Sequence, residues 1–103
     1  MFEFLKKLFK SEPPVDFAQM VKDGAKIVDV RTADEFRSGH IKGSENISLQ
    51  QLNSKIPQLK KSGKPVITVC RSGSRSSMAV RMLKSNGISA INGGAWNSLQ
   101  NKI

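Results

Sequence analysis

Cys70 is the only cysteine of the chain. It closes the apolar run Val66-Ile67-Thr68-Val69 and opens the loop Arg71-Ser72-Gly73-Ser74-Arg75-Ser76. The loop leads into a segment with helical periodicity. A sulfur at such a junction lies among the backbone N–H groups that a helix N-terminus leaves unbonded, and these favour a thiolate over a thiol. Small, flexible Ser72, Gly73 and Ser74 let successive N–H groups turn inward into an anion-binding nest. Arg71 and Arg75 add positive charge around the same pocket. The chemistry implied is attack by a sulfur nucleophile in a partly exposed cradle. The plainer reading, a buried packing cysteine, does not account for the loop that follows.

Loop length narrows the anion. In cysteine phosphatases the arginine follows the cysteine after five residues, and the loop wraps a tetrahedral phosphoryl group. Here the arginine is Arg75, and position 76 is a serine. The tighter loop suits one sulfur atom better than a phosphate. No acidic residue lies within the loop or just beyond it, which also counts against a phosphatase or arsenate reductase. A lone cysteine has no partner for an internal disulfide and none to resolve a loaded sulfur, so an outside molecule must complete any turnover. With one histidine in the chain, no metal site is expected.

Other candidates lie at the end of the first strand-like run. Asp29 and Arg31 are expected to form an ion-pair network that braces the loop, with Glu35 as a partner. His40 is expected to brace a loop rather than to move a proton. Trp96 reads as core or rim packing.

These residues need a scaffold. Lys26 to Val30, Pro65 to Val69 and Ile88 to Ile91 read as strands, with a short one expected near Ile47. Asp16 to Lys22, a Thr32-capped Ala33 to Arg37, Leu49 to Lys60, Ser76 to Ser85 and Ala95 to Asn101 read as helices. Pro57 is expected to kink or split the third of these. Gly93-Gly94 reads as a turn. Strands alternating with helices predict an α/β domain: a mostly parallel sheet with helices on both faces, binding its ligand beyond the strands' C-terminal ends.

The chain has 103 residues, enough for one compact domain. Phe2, Leu5, Leu8 and Phe9 share one side of a short N-terminal helix over Met1 to Lys10, opposite Glu3, Lys6, Lys7 and Lys10. Ser11-Glu12-Pro13-Pro14 breaks it. The chain thus divides into a helix and linker at 1–12 and a domain at 13–103. So short a helix needs a surface. Docking on protein, or fraying, is favoured over weak contact with an anionic membrane. No apolar run is long enough to span a bilayer, and no secretory leader is evident, so the expected compartment is the cytoplasm. The net charge is +9, which fits anionic partners. The basic residues are scattered without interleaved aromatics, and nucleic-acid binding is not expected.

Several blocks, in order, resemble the single-domain rhodanese family of sulfurtransferases. Ile27-Val28-Asp29-Val30-Arg31, then Glu35-Phe36 and Gly39-His40-Ile41, are similar to its first signature. Val69 to Ser76 is similar to its active-site loop, and Gly93-Gly94 before Trp96 to its C-terminal element. The family usually continues Gly-His-Ile with Pro-Gly-Ala; here Lys42-Gly43-Ser44 follows. The resemblance implies a rhodanese-like three-layer domain and a two-step sulfur transfer. Cys70 would take a sulfane sulfur from thiosulfate or a persulfide. It would then hand that sulfur to cyanide or to a thiol, free or on a protein. Arg71, Ser72, Gly73, Ser74, Arg75 and Ser76 would bind the anionic donor and the loaded sulfur. No cofactor is implied, and a monomer is expected. A regulatory or carrier module that holds a persulfide without turning over freely is the main alternative.

Overall fold

The computed structural model describes residues 14–103. The helix expected over 1–10 lies outside the described residues. In chain order the elements are α1 (Phe17–Lys22), β1 (Lys26–Asp29), α2 (Ala33–Arg37), β2 (Glu45–Asn46), a 3-10 turn (Leu49–Gln51), α3 (Leu52–Ser62), β3 (Val66–Cys70), α4 (Ser74–Ser85), β4 (Ala90–Ala95) and α5 (Trp96–Gln100). The strands form one sheet in the order β2-β1-β3-β4, and every neighbouring pair is parallel. No helix among the described residues is long and apolar enough to cross a membrane.

Strand β3 is buried at all five positions, as a central parallel strand must be. Its side chains alternate between two cores. Val66 and Cys70 join Val28 and Val30 of the β1 segment beneath Leu52, Ile56 and Leu59 of α3 and Ala79 and Leu83 of α4. Ile67 and Val69 join Ile27, Ile41 and Leu99, against Phe17, Met20 and Val21 of α1. This is the three-layer arrangement expected from the alternation of elements. It points the Cys70 side chain toward α4.

Two local expectations are corrected. The segment from Leu49 is divided, but at Gln51–Leu52, where the 3-10 turn gives way to α3, and not at Pro57, which lies inside α3. An interior proline costs about 3 kcal/mol. Burying Leu52, Ile56 and Leu59 contributes roughly 1.5–3 kcal/mol each, which outweighs it. The last strand is Ala90–Ala95 rather than Ile88 to Ile91, so Gly93 and Gly94 lie within the sheet instead of forming a turn. Thr68 pairs with Asn92 but Cys70 with Ala95, one residue further than a regular ladder would give. The glycines accommodate this bulge. A Cβ on Gly93 would lie 2.8 Å from Ile67 Cγ2 and 2.9 Å from the Thr68 carbonyl oxygen. Only a residue without a side chain fits so close to β3.

Candidate active site

Cys70 ends β3 at the C-terminal edge of the sheet and is 1% exposed. The partly exposed cradle expected from sequence is instead nearly closed. The thiol sulfur accepts the backbone N–H of Gly73 at 2.9 Å and that of Ser76 at 3.4 Å. These contacts answer a question of helix capping. Gly73 is the N-cap of α4 and has no side chain to accept from the third helical N–H, the bond a serine or aspartate cap normally makes. That N–H belongs to Ser76. The sulfur of Cys70 takes the capping acceptor's place, at the end where the helix dipole favours negative charge. Gly73 has φ +102°, which a side chain would strain.

The loop is held from behind by β3 and β4. Thr68 lies two residues before Cys70 and so faces the same side. Its Oγ1 bonds the Ser76 carbonyl oxygen at 3.1 Å and lies 2.5 Å from Ser76 Oγ. Ser76 Oγ donates to Asn92 Oδ1 at 2.7 Å. The same Oδ1 accepts from the Gly94 N–H at 2.8 Å, and Asn92 Nδ2 donates to the Gly73 carbonyl oxygen at 3.0 Å. Asn92 therefore grips the two residues whose N–H groups meet the sulfur. Ser76 is fully buried, and its hydroxyl is spent on this network. What Ser76 offers the sulfur is its backbone.

Arg75 and Glu35 form a two-pronged pair, Nη1 to Oε1 at 2.7 Å and Nη2 to Oε2 at 2.9 Å. Glu35 also accepts from the Thr32 N–H and completes the capping box of α2. The bond from Arg75 and then the Thr32 N–H hold the Glu35 carboxyl down from 4.5 to about 2. The Glu35 bond raises Arg75 above its ordinary value, with a smaller contribution from the sulfur of Cys70. Arg71 is exposed and makes no ion pair with another described residue. Ser72 and Ser74 are exposed beside it. An open recess of about 190 Å³ adjoins Arg75, walled by Val30, Thr32, Ser48, Leu49 and Gln50.

Asp29 and Arg31 form a separate, buried pair. Arg31 shares its one Nε–H between both oxygens of the Asp29 carboxylate and donates to it from Nη2 as well, at 2.7–3.0 Å. Its guanidinium also reaches the carbonyl oxygens of Glu35 and Gly39 and lies 4.8 Å from the Trp96 ring centroid. This ties the end of β1 to α2 and α5. The single network expected around the loop is thus two pairs, joined only through Glu35, which meets Arg31 by its backbone and Arg75 by its side chain. His40 stacks on Phe36 at 3.7 Å between ring centroids and bonds the Phe36 carbonyl oxygen through Nδ1. It steadies the end of α2, not the Cys70 loop. Among the described residues no three of His, Cys, Asp and Glu gather where they could hold a metal ion.

Thr68 and Asn92 were not singled out from the sequence. Thr68 carried a signal: it is the one polar residue in an apolar strand, in phase with Cys70. Asn92 carried a weaker one, a polar residue just before two glycines.

The model of the Rhodanese-like domain family matches residues 13–99. The chain is 33% identical over 83 residues to the thiosulfate sulfurtransferase GlpE of Pseudomonas savastanoi pv. phaseolicola (strain 1448A / Race 6), covering 81% of this chain and 77% of that one. It is 39% identical over 67 residues to the uncharacterized protein YqhL of Bacillus subtilis (strain 168), covering 65% of this chain. It spans about half, 52%, of YqhL's length. Among solved structures, a rhodanese-related protein from Thermoplasma volcanium superimposes with a TM-score of 0.72 at 28% identity, over 84% of this chain and 86% of that one. A parallel sheet ending in a cysteine that caps the next helix, matched along nearly all of the described chain, makes this protein a member of the rhodanese-like family.

Proposed function

We propose that the protein is a sulfurtransferase that carries a sulfane sulfur on Cys70. The observation that carries this reading is the pair of N–H groups, from Gly73 and Ser76, aimed at one sulfur atom at the strand's C-terminal end. Such a cradle suits a single sulfur anion held at that point. In the first step the Cys70 thiolate attacks the outer sulfur of thiosulfate. The S–S bond of thiosulfate breaks, sulfite leaves with the electron pair, and a Cys70 persulfide remains. In the second step cyanide or a thiolate attacks the outer sulfur of that persulfide. The new S–S bond of Cys70 breaks and its thiolate is restored. No external oxidant or reductant enters either step. Arg71, exposed and free of carboxylates among the described residues, meets the anionic donor. Arg75, anchored by Glu35, supplies fixed positive charge.

The test is mass spectrometry of the intact protein. Thiosulfate is expected to add one sulfur to the wild type and none to Cys70→Ser, and cyanide to remove it as thiocyanate. A wild-type protein that gains no sulfur from thiosulfate or from a low-molecular-weight persulfide refutes the reading.

A further inference from the structure

We propose that the outer face of α3 and α4 docks an acidic protein that presents its thiol to Cys70. The proposal rests on the sulfur-transfer reading and names its acceptor class. From Asn46 to Ile103 the chain carries nine Lys and Arg and no Asp or Glu. Helices α3 and α4 are both built from this stretch and pack side by side over the same core. Lys60 of α3 reaches the turn that follows α4: its Nζ lies 3.9 Å from where a Cβ on Gly87 would stand. Lys60 and Lys61 of α3 and Arg81 and Lys84 of α4 are all exposed, and the Lys60 contact brings the end of α3 to the end of α4.

The acids of the described chain lie elsewhere and are committed. Asp29 holds Arg31, Asp34 holds Arg37, Glu35 holds Arg75 and Glu45 holds Lys26. Asp16 caps α1, and Asp23 bonds Gln19 of that same helix, whose apolar side chains pack on the opposite face of the sheet. No described carboxylate is left to neutralise the α3–α4 face.

Its composition favours a protein over other anions. Ser74, Ser77, Met78 and Arg81 follow one exposed stripe of α4, and Met78 is 47% exposed. An exposed methionine beside an arginine is the kind of centre that protein interfaces favour, with lysines left to the rim. Neither helix carries an aromatic side chain on which a base could stack. One exposed apolar side chain is too few for insertion into a lipid interface. The stripe starts at the loop that holds the sulfur, and Arg81 lies about 10 Å along the helix from Ser74. One partner footprint spans both. A carboxylate-rim partner would be drawn to this face before its thiol meets the persulfide.

The experiment uses the full chain, loaded with thiosulfate, and two synthetic peptides with one central cysteine, flanked by glutamates or by glutamines. Sulfur transfer to the glutamate peptide is expected to be about tenfold faster at low salt, the lower end of electrostatic steering. The advantage should fall below about twofold at high salt, where screening is short-ranged. The double change Arg81→Glu with Lys84→Glu is expected to erase it, while thiosulfate loading and cyanide unloading keep wild-type rates. Equal rates for the two peptides on loaded wild type overturn the proposal, as does an advantage that survives the double change. Binding of a single-stranded RNA or of anionic phospholipid vesicles that the double change abolishes, with equal peptide rates, reassigns the face and also overturns it. If the wild type takes up no sulfur, the sulfur-transfer reading has failed. Fluorescence anisotropy of a labelled, cysteine-free glutamate peptide then decides the docking face alone: it is supported by binding that the double change removes and overturned by no binding.

Discussion

Asn92→Ala is the sharpest test of how the sulfur cradle is held. The substitution removes three hydrogen bonds: to the Gly73 carbonyl oxygen, from Ser76 Oγ and from the Gly94 N–H. Each contributes about 0.5–1.5 kcal/mol net. Asn92 is exposed, so water replaces part of this. Ser76 Oγ keeps Thr68 as a partner and is not orphaned. A loss of about 1–2 kcal/mol of stability follows, or roughly 4–16 °C in Tm for a domain of this size. The effect on sulfur loading is larger than stability alone would give. Gly73 and Ser76 lose their link to β4, and their N–H groups lose aim at the Cys70 sulfur. Removing one such donor outright costs about 10²–10³ in rate, and misalignment of both should cost about tenfold or more. The assay is single-turnover loading with thiosulfate, read by mass, well below the melting temperature so that the folded fraction matches the wild type. Asn92→Asp separates position from packing. It keeps both bonds to Oδ1 but turns the donor facing Gly73 into a repelled acceptor, so it too should load slowly. Wild-type loading rates in folded Asn92→Ala would refute the claim that this residue aims the cradle.

Three further outcomes test the frame around it. Arg31→Leu leaves Asp29 charged and buried, and should cost about 3–5 kcal/mol in a denaturant melt; Arg31→Lys should rescue little, because one ammonium cannot replace the fork. A melt no different from wild type would remove the pair from the list of anchors. Glu35 is held at about 2 rather than 4.5, so its pair with Arg75 stabilises the fold fully above about pH 4.5 and loses that contribution as pH falls toward 2. Solvent reaches both side chains, 30% and 34% exposed, so the contribution is about 1 kcal/mol. Glu35→Gln should therefore be less stable than wild type at pH 6 and equal to it near pH 2, and a gap independent of pH would contradict the pairing. Gly93→Ala presses a methyl group on Ile67 and the Thr68 carbonyl, and should cost about 1–3 kcal/mol; a neutral result in a thermal melt would show that β4 yields there without strain.

What could be read in the sequence was what depends on near neighbours. The unbroken apolar run of β3 and the helical stripe of α4 are local patterns, and together they placed Cys70 at a strand end before a helix. The pairings that hold the site are not local. Glu35 and Arg75 stand 40 residues apart, and Asn92 stands 19 residues from Gly73. Charge alone offered Arg75 either a ligand or a carboxylate, and only the closure of α2 against the first turn of α4 decides for Glu35. His40 looked available for the loop because the stacking of its ring on Phe36 depends on how the chain leaves α2. The last strand was cut short for a physical reason. Two adjacent glycines are a turn signal in isolation, and they become a strand bulge only when β3 lies 3 Å away.

The sulfur's role as a helix cap joins these levels. A helix entered through glycine lacks the side chain that normally satisfies its third N–H, and by itself Gly73 would weaken the start of α4. The strand supplies the acceptor from outside the helix, and Gly73 at positive φ is what lets the chain double back so that its own N–H also meets the sulfur. The fold is thus more stable with an acceptor at position 70, and the same two donors are free to follow charge when that acceptor is a thiolate. Stability and reactivity draw on one pair of N–H groups. That coupling is why the network behind them, Thr68 through Ser76 to Asn92, is built from interlocked polar contacts, buried at Thr68 and Ser76, rather than left to a mobile loop.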